Sequence, residues 1–143
     1  MNLKILQTSD FEFWTDLKTR WSDMDSLNHI NHASYLSYME TARVQLYIDL
    51  GFGGISTKMD QSTILASMDV HYLVQAKHPT NMRIGHRISR VGNKSFDLMT
   101  GVFNKKNDIL LCSALFKMVA FNYRTERTIP VPKKIREYCH PVL

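Results

Sequence analysis

Apolar positions along this chain keep first to a helical period and then to a period of two. Between residues 31 and 50, Tyr35, Met39, Ala42 and Leu46 recur at i, i+4, i+7 and i+11. One apolar stripe of this kind predicts an amphipathic helix. Asn31 stands just before it, with a side-chain oxygen able to accept an orphan backbone N–H, and is the expected N-cap. Gly51, followed by Gly53 and Gly54, is expected to end it. Further on, Ile64, Ala66, Met68, Val70, Tyr72 and Val74 alternate with a more polar set, which predicts a long, half-buried strand broken by Pro79.

Three more strands are expected at about 81–91, 94–104 and 109–122. Their links, "VGNKS" and "NKKNDI", hold the Gly, Asn and Asp that tight hairpins need. The last strand is apolar on nearly both faces, which places it inside the sheet. Residues 11–21 read as a first strand, and "PVPKKIREYCH" as a short terminal helix entered through proline. One long helix then has five strands to lie against. An antiparallel sheet curled around a single central helix satisfies that order, an α+β arrangement forming one domain over residues 1–143. Such a sheet leaves an edge and a face uncovered, and pairing with a second copy would cover them.

The chain is 44% hydrophobic, enough for a core of its own. No run approaches the roughly 18 apolar residues of a membrane span. The N-terminal "MNLKILQTSDFEFW" lacks a long apolar run, so no secretory leader is expected. Cys112 and Cys139 fit no metal-ligand spacing and are expected as free thiols in a reducing, cytoplasmic setting. Formal net charge is +5, unevenly spread: between Val70 and Phe96 there is no Asp or Glu, but five Lys or Arg and three His. That asymmetry suggests an anionic partner, although a solvated basic face has the same composition. Nucleic acid is not the expected partner, because no basic recognition row or paired-aromatic strand motif accompanies the charge.

The densest polar stretch is "RWSDMDSLNHINHASYLSYMETARV", residues 20–44. Asp25 falls on the loop that delivers the chain to the helix, whose first N–H groups, near His32 and Ala33, lack intrahelical acceptors. A carbonyl oxygen held there would be polarised, and a carboxylate on its other side could activate water or attack directly. The same residue types are also ordinary turn and cap formers, and Asp23, two residues away, would serve only to anchor the loop. A metal site built from Asp23, Asp25, His29 and His32 is chemically possible, but the spacing matches no standard signature, and no metal is expected.

These residues resemble the opening signature of the hotdog-fold acyl-CoA thioesterases of the 4-hydroxybenzoyl-CoA thioesterase-like group. The match runs through Arg20, Trp21, Ser22, Asp23, Met24 and Asp25, then His29, Ile30, Asn31, His32 and Tyr35, with Glu40, Ala42 and Arg43 continuing the helix. The resemblance implies the hotdog fold, and hydrolysis of acyl-CoA to free acid and CoA. It implies Asp25 as general base or nucleophile, the amide near His32 as oxyanion clamp, and His29 as an assisting or positioning group. It also places coenzyme A phosphates on Arg90, Lys94 and Ser95. Coenzyme A enters only as part of the substrate, with no separate cofactor, and a homo-oligomer, dimer or tetramer, is implied. Two positions depart from the family pattern: His32 replaces its second Asn, and Gln75 replaces a proline common after the long strand. Eight methionines, among them Met39, Met59, Met68 and Met99, would suit an adaptable acyl pocket or plain core filling, and Phe52 with Met59 would suit a gate. Two other functions fit the same fold: hydrolysis of acyl-carrier-protein thioesters, and a non-catalytic acyl-CoA or lipid-binding module. Acyl-carrier substrates would reveal the first, and tight binding without thiol release the second.

Overall fold

The computed structural model describes residues 2–52 and 60–142; Gly53, Gly54 and Met59 lie outside the described residues. Strand β1 (Phe13–Lys18) leads through a 3-10 turn at Trp21–Asp23 into helix α1 (His32–Asp49). Strands β2 (Gln61–Tyr72), β3 (Asn81–Val91), β4 (Ser95–Asn104) and β5 (Leu110–Asn122) follow. A two-residue β6 (Arg127–Thr128) and a short α2 (Lys133–Glu137) end the chain. The strands pair antiparallel in the order β1-β3-β4-β5-β2, with β6 added on β5. This is the expected hotdog arrangement, one long helix held in a curled antiparallel sheet. β5 lies inside the sheet, as its two-sided apolar pattern requires, between β4 and β2.

Helix α1 buries the predicted stripe, widened by a second column: Tyr35, Tyr38, Met39, Ala42, Arg43, Leu46 and Tyr47. These pack on the inward residues of β3, β4 and β5, among them Ile84, Leu98, Val102, Ala114 and Phe116. Arg43 enters the layer by laying its guanidinium over the Phe116 ring, 5.0 Å from its centre. Gly51, at φ 70°, closes the helix with its N–H on the Ile48 carbonyl and that of Phe52 on the Tyr47 carbonyl. The Phe52 ring then packs edge-on against Tyr47, completing a glycine-terminated cap with its hydrophobic contact.

The opposite face of the sheet has its own cover. Leu3, Leu6 and Phe11 bury against Met99 and Phe103. Phe11, expected inside the first strand, lies over Gly85 and Gly101, which are paired across β3 and β4. A Cβ on either glycine would stand within 2.8 Å of the Phe11 side chain.

β2 departs from expectation. A register shift between Leu65 and Ser67 interrupts the alternation, so Ile64 pairs with Val119 on one face while Leu65, Met68, Val70 and Tyr72 share the helix-side face with Met118, Phe116, Ala114 and Cys112. The strand is also less buried than its pattern predicts. Met68 and Tyr72 are 49% and 48% exposed, because β2 is the sheet's edge and no described element lies along its outer side.

Candidate active site

The loop before α1 is fastened at both ends. Met24 and Ile30 form an isolated antiparallel bridge, and the Asp25 N–H donates to the His29 carbonyl at 3.1 Å. Asn28 turns the chain at φ 64°, a conformation Asn tolerates better than most residues, with its backbone N–H on the Asp25 carbonyl at 3.0 Å. The Ile30 N–H ties the loop to the Ala76 carbonyl at 2.8 Å, and the Asn31 N–H ties it to the Asp23 carbonyl at 2.8 Å.

Asp23 is the anchor. Only 3% exposed, its carboxylate accepts the Tyr38 hydroxyl at 2.6 Å, the Arg20 N–H at 2.8 Å and the Arg20 guanidinium at 3.0 Å. Burial would raise its pKa, but the hydrogen bonds from Tyr38 and Arg20, with the Arg20 charge, outweigh it and hold the carboxyl below the usual range. Its carbonyl also takes the Ser34 hydroxyl at 3.0 Å. Asp23 thus faces Arg20 and Tyr38, and Asp25 and His29 border a different space. Among the described residues no three His, Cys, Asp or Glu side chains converge.

Asp25 remains half-exposed. One oxygen accepts the Leu27 N–H at 2.9 Å and the other the Asn31 side-chain N–H at 3.3 Å. Asn31 meanwhile caps α1, its carbonyl oxygen taking the Ala33 N–H at 2.8 Å. A single side chain therefore couples Asp25 to the helix start. The Ala33 amide, expected free, is used by that cap, and the Ser34 N–H reaches the Asn31 carbonyl. Among the described residues the His32 N–H has no acceptor, so at the positive end of the helix dipole it is the amide left to a ligand.

Asp25, His29 and His32 share the wall of one cavity of about 500 Å³, completed by Leu27, Ile30, Tyr35 and residues 72–75. Asp25 does bind its own loop, yet it fronts this space. Tyr72, which sequence reasoning did not single out, donates to the His32 carbonyl at 3.1 Å and stacks edge-on with Tyr35; its place at the end of the strand pattern was the available signal. Tyr35 is 4% exposed and its hydroxyl has no partner among the described residues. Burial, with Cys112 and Tyr72 nearby, pushes that phenol up to about 12, and burial pushes the Cys112 thiol to about 12 as well. Burial raises the Tyr72 phenol as well, so these three groups stay protonated, and Cys112 is no nucleophile.

A sequence profile of the Thioesterase-like superfamily matches residues 19–138. The chain belongs to that superfamily. It is a thioester hydrolase of the hotdog fold. Among solved structures it is similar to the PA5185 protein of Pseudomonas aeruginosa, at 22% identity over 91% of this chain and 90% of that one, with a TM-score of 0.81. The PA2801 protein of the same organism, described as a thioesterase candidate, is 26% identical over 87% of this chain and 95% of its own, with a TM-score of 0.80. A DHNA-CoA thioesterase from Staphylococcus aureus shares the fold at 18% identity, 82% and 78% coverage and a TM-score of 0.73. No curated protein sequence matches the chain.

In this thioesterase the expected phosphate-binding residues lie apart from the cavity within one chain. Arg90 donates to Asp97 at 3.0 Å and to Ser95 at 3.1 Å, and Lys94 is exposed on the β3–β4 hairpin. Ser95 pairs with Val119 of β5, whereas Tyr72, at the cavity, pairs with Cys112. Seven residues of strand separate the two positions, roughly 23 Å. Met39 and Met99 are fully buried in the two cores, and neither they nor Met68 line the cavity. Phe52 closes the far end of an 18-residue helix, about 27 Å from the cavity. It does not gate it.

Proposed function

We propose that this thioesterase hydrolyses acyl-CoA thioesters to free acid and CoA, with Asp25 as general base or nucleophile and the His32 amide as oxyanion clamp. The observation that carries the reading is the shared cavity: a half-exposed carboxylate and an unclaimed helix-terminal N–H border one space of about 500 Å³. In the base route, water bonds to the carbonyl carbon as Asp25 takes its proton. The tetrahedral oxyanion rests on the His32 N–H. Collapse breaks the C–S bond, and the proton passes to the departing thiolate. In the nucleophilic route the Asp25 carboxylate bonds to the carbonyl carbon, and the C–S bond breaks to expel the CoA thiolate. Water opens the resulting anhydride to give the free acid and restore the carboxylate, a proton of that water passing to the thiolate. His29 stands at the cavity rim to position the carbonyl or the water.

The test is a thiol-release assay across short, medium, long and aromatic acyl-CoAs, with Asp25→Asn as control. The variant is expected to lose at least about a hundredfold in kcat while still binding CoA. Undiminished turnover would reject the assignment. A cytoplasmic location goes with this substrate class. A homodimer or tetramer goes with it too, because the open edge of β2 exposes Ile64, Leu65, Met68 and Tyr72; a monomer mass in light scattering would overturn that part.

A further inference from the structure

The turn between β3 and β4, residues 92–94, is polarised by what surrounds it. All three of its carbonyls are claimed from the body of the protein. The Gly92 carbonyl accepts the Arg136 guanidinium at 2.8 Å. The Asn93 carbonyl accepts the same guanidinium nitrogen at 3.1 Å and the Val131 N–H at 2.9 Å. The Lys94 carbonyl accepts the Ala120 N–H at 2.9 Å. A trans peptide holds its C=O and the following N–H in opposite directions. Fixing the Gly92 and Asn93 carbonyls inward therefore turns the Asn93 and Lys94 N–H groups outward, and among the described residues neither has an acceptor. Successive outward amides favour an anion. The Lys94 side chain is exposed beside them. The Arg90 guanidinium packs on the turn as well: a Cβ on Gly92 would stand 2.9 Å from its Nη1.

Arg136 is the side chain common to both peptide planes. It projects from a fixed base, because Ile135 of α2 is fully buried and the Tyr138 ring packs edge-on against Phe13. Its two hydrogen bonds lie at the surface, where water would replace them at little cost to folding. Their effect falls on the orientation of the turn. We infer that Arg136 is a positioning residue for the leaving group, holding these two peptide planes so that the Asn93 and Lys94 amides and the Lys94 ammonium face a phosphate of coenzyme A. Arg136 acts through the turn and needs no contact with phosphate itself. The inference rests on the acyl-CoA reading above, with phosphates at this hairpin as the resemblance through Arg90, Lys94 and Ser95 implies. Within one chain the hairpin stands far from Asp25. A second copy paired along β2 in the antiparallel sense of the other strands would reverse that order and carry its own hairpin to the cavity end.

The experiment titrates free CoA and free pantetheine into wild type, Arg136→Ala, Lys94→Ala and Lys94→Ala/Arg136→Ala, and measures KM and kcat for an acyl-CoA. Arg136→Ala is expected to weaken CoA binding at least about fivefold and to raise KM alike, with kcat and pantetheine binding within about twofold of wild type. Because Arg136 works through the turn, removing it from Lys94→Ala is expected to cost at least about threefold less than removing it from wild type. CoA binding by Arg136→Ala within about twofold of wild type overturns the role. Effects that multiply in full overturn it too, since they mark a separate contact between Arg136 and phosphate. So does a pantetheine loss that matches the CoA loss, since it marks a damaged fold. The wild-type protein separates this inference from the reading beneath it. If wild type prefers CoA to pantetheine and Arg136→Ala leaves that preference intact, only the Arg136 role falls. If wild type shows no preference, phosphate recognition fails and the role falls with it, while Asp25-dependent turnover of a benzoyl-N-acetylcysteamine thioester, which carries no phosphate, leaves the hydrolase standing.

Discussion

Replacing Tyr38 by Phe removes one oxygen and should loosen the whole loop–helix junction. The Tyr38 hydroxyl donates at 2.6 Å to an Asp23 carboxylate that is 3% exposed. No solvent can replace it without opening the packing. A hydrogen bond to a buried charged group contributes about 1.5–3 kcal/mol, and the variant should lose about that much. At a urea m-value of about 2 kcal/mol/M, the midpoint moves down by about 1 M at fixed protein concentration. Because Asp23 also holds the Asn31 N–H and the Ser34 hydroxyl, turnover should fall too, although Tyr38 does not line the cavity. The decisive measurement is a double-mutant cycle with Asp23→Asn, which should show coupling of about 1–3 kcal/mol. Additive effects, or an unchanged midpoint, would refute the anchoring role.

Two further outcomes follow from buried polar atoms. His86 is 1% exposed and bonded through Nδ1 to Thr100 at 2.9 Å. Burial, helped by the Arg43 charge and opposed by the Ala42 carbonyl, pushes its pKa down to about 3. Between 6.5 and about 3 the unfolded chain therefore binds the extra proton. The contribution of His86 to stability is complete above pH 6.5 and declines on acidification by about 1.4 kcal/mol per pH unit. Urea unfolding between pH 6 and 4.5 should show that slope in wild type, and His86→Gln should lose it; a slope unchanged in the variant contradicts the buried neutral state. Tyr35→Phe deletes a hydroxyl with no partner among the described residues, so the variant should be more stable by about 1 kcal/mol and melt higher. A lower melting temperature would mean that the hydroxyl is hydrogen-bonded after all.

What could be read from the sequence is what local chemistry decides. The stripe of α1, the Asn31 cap and the Gly51 stop depend on neighbours within a turn or two, and all three are in place. The crowding of polar residues at 23–34 also resolves locally: Asp23 anchors, Asn28 takes the left-handed turn, Asn31 caps and steadies Asp25, and Ser34 ties back to Asp23. Charge was less legible, because pairing occurs across strands. The acid-free segment 70–96 promised a basic face, yet β3 sends its side chains to both sides of the sheet. Arg83 stacks on Trp14, Arg87 donates to the carbonyls of His140 and Pro141, and Arg90 finds Asp97 one strand away, a single residue beyond the segment's end. The cover of the outer face was hidden for a related reason. Nothing in residues 3–11 marks them as a lid, although the paired Gly85 and Gly101 leave the gap that Phe11 fills.

β2 carries the pattern that one chain does not satisfy. Leu65, Met68 and Tyr72 stand on the helix-side face as core residues would, and each remains more than two-fifths exposed. An apolar edge strand left open to water templates pairing with other chains unless charge, proline or a covering segment blunts it. Between Gln61 and Tyr72 the only charged side chain is Asp69, and there is no proline. The bulge near Ala66 adds twist without adding charge. The homo-oligomer proposed above would cover that edge with a second copy, and Tyr72 would carry the contact directly to the wall of the Asp25 cavity.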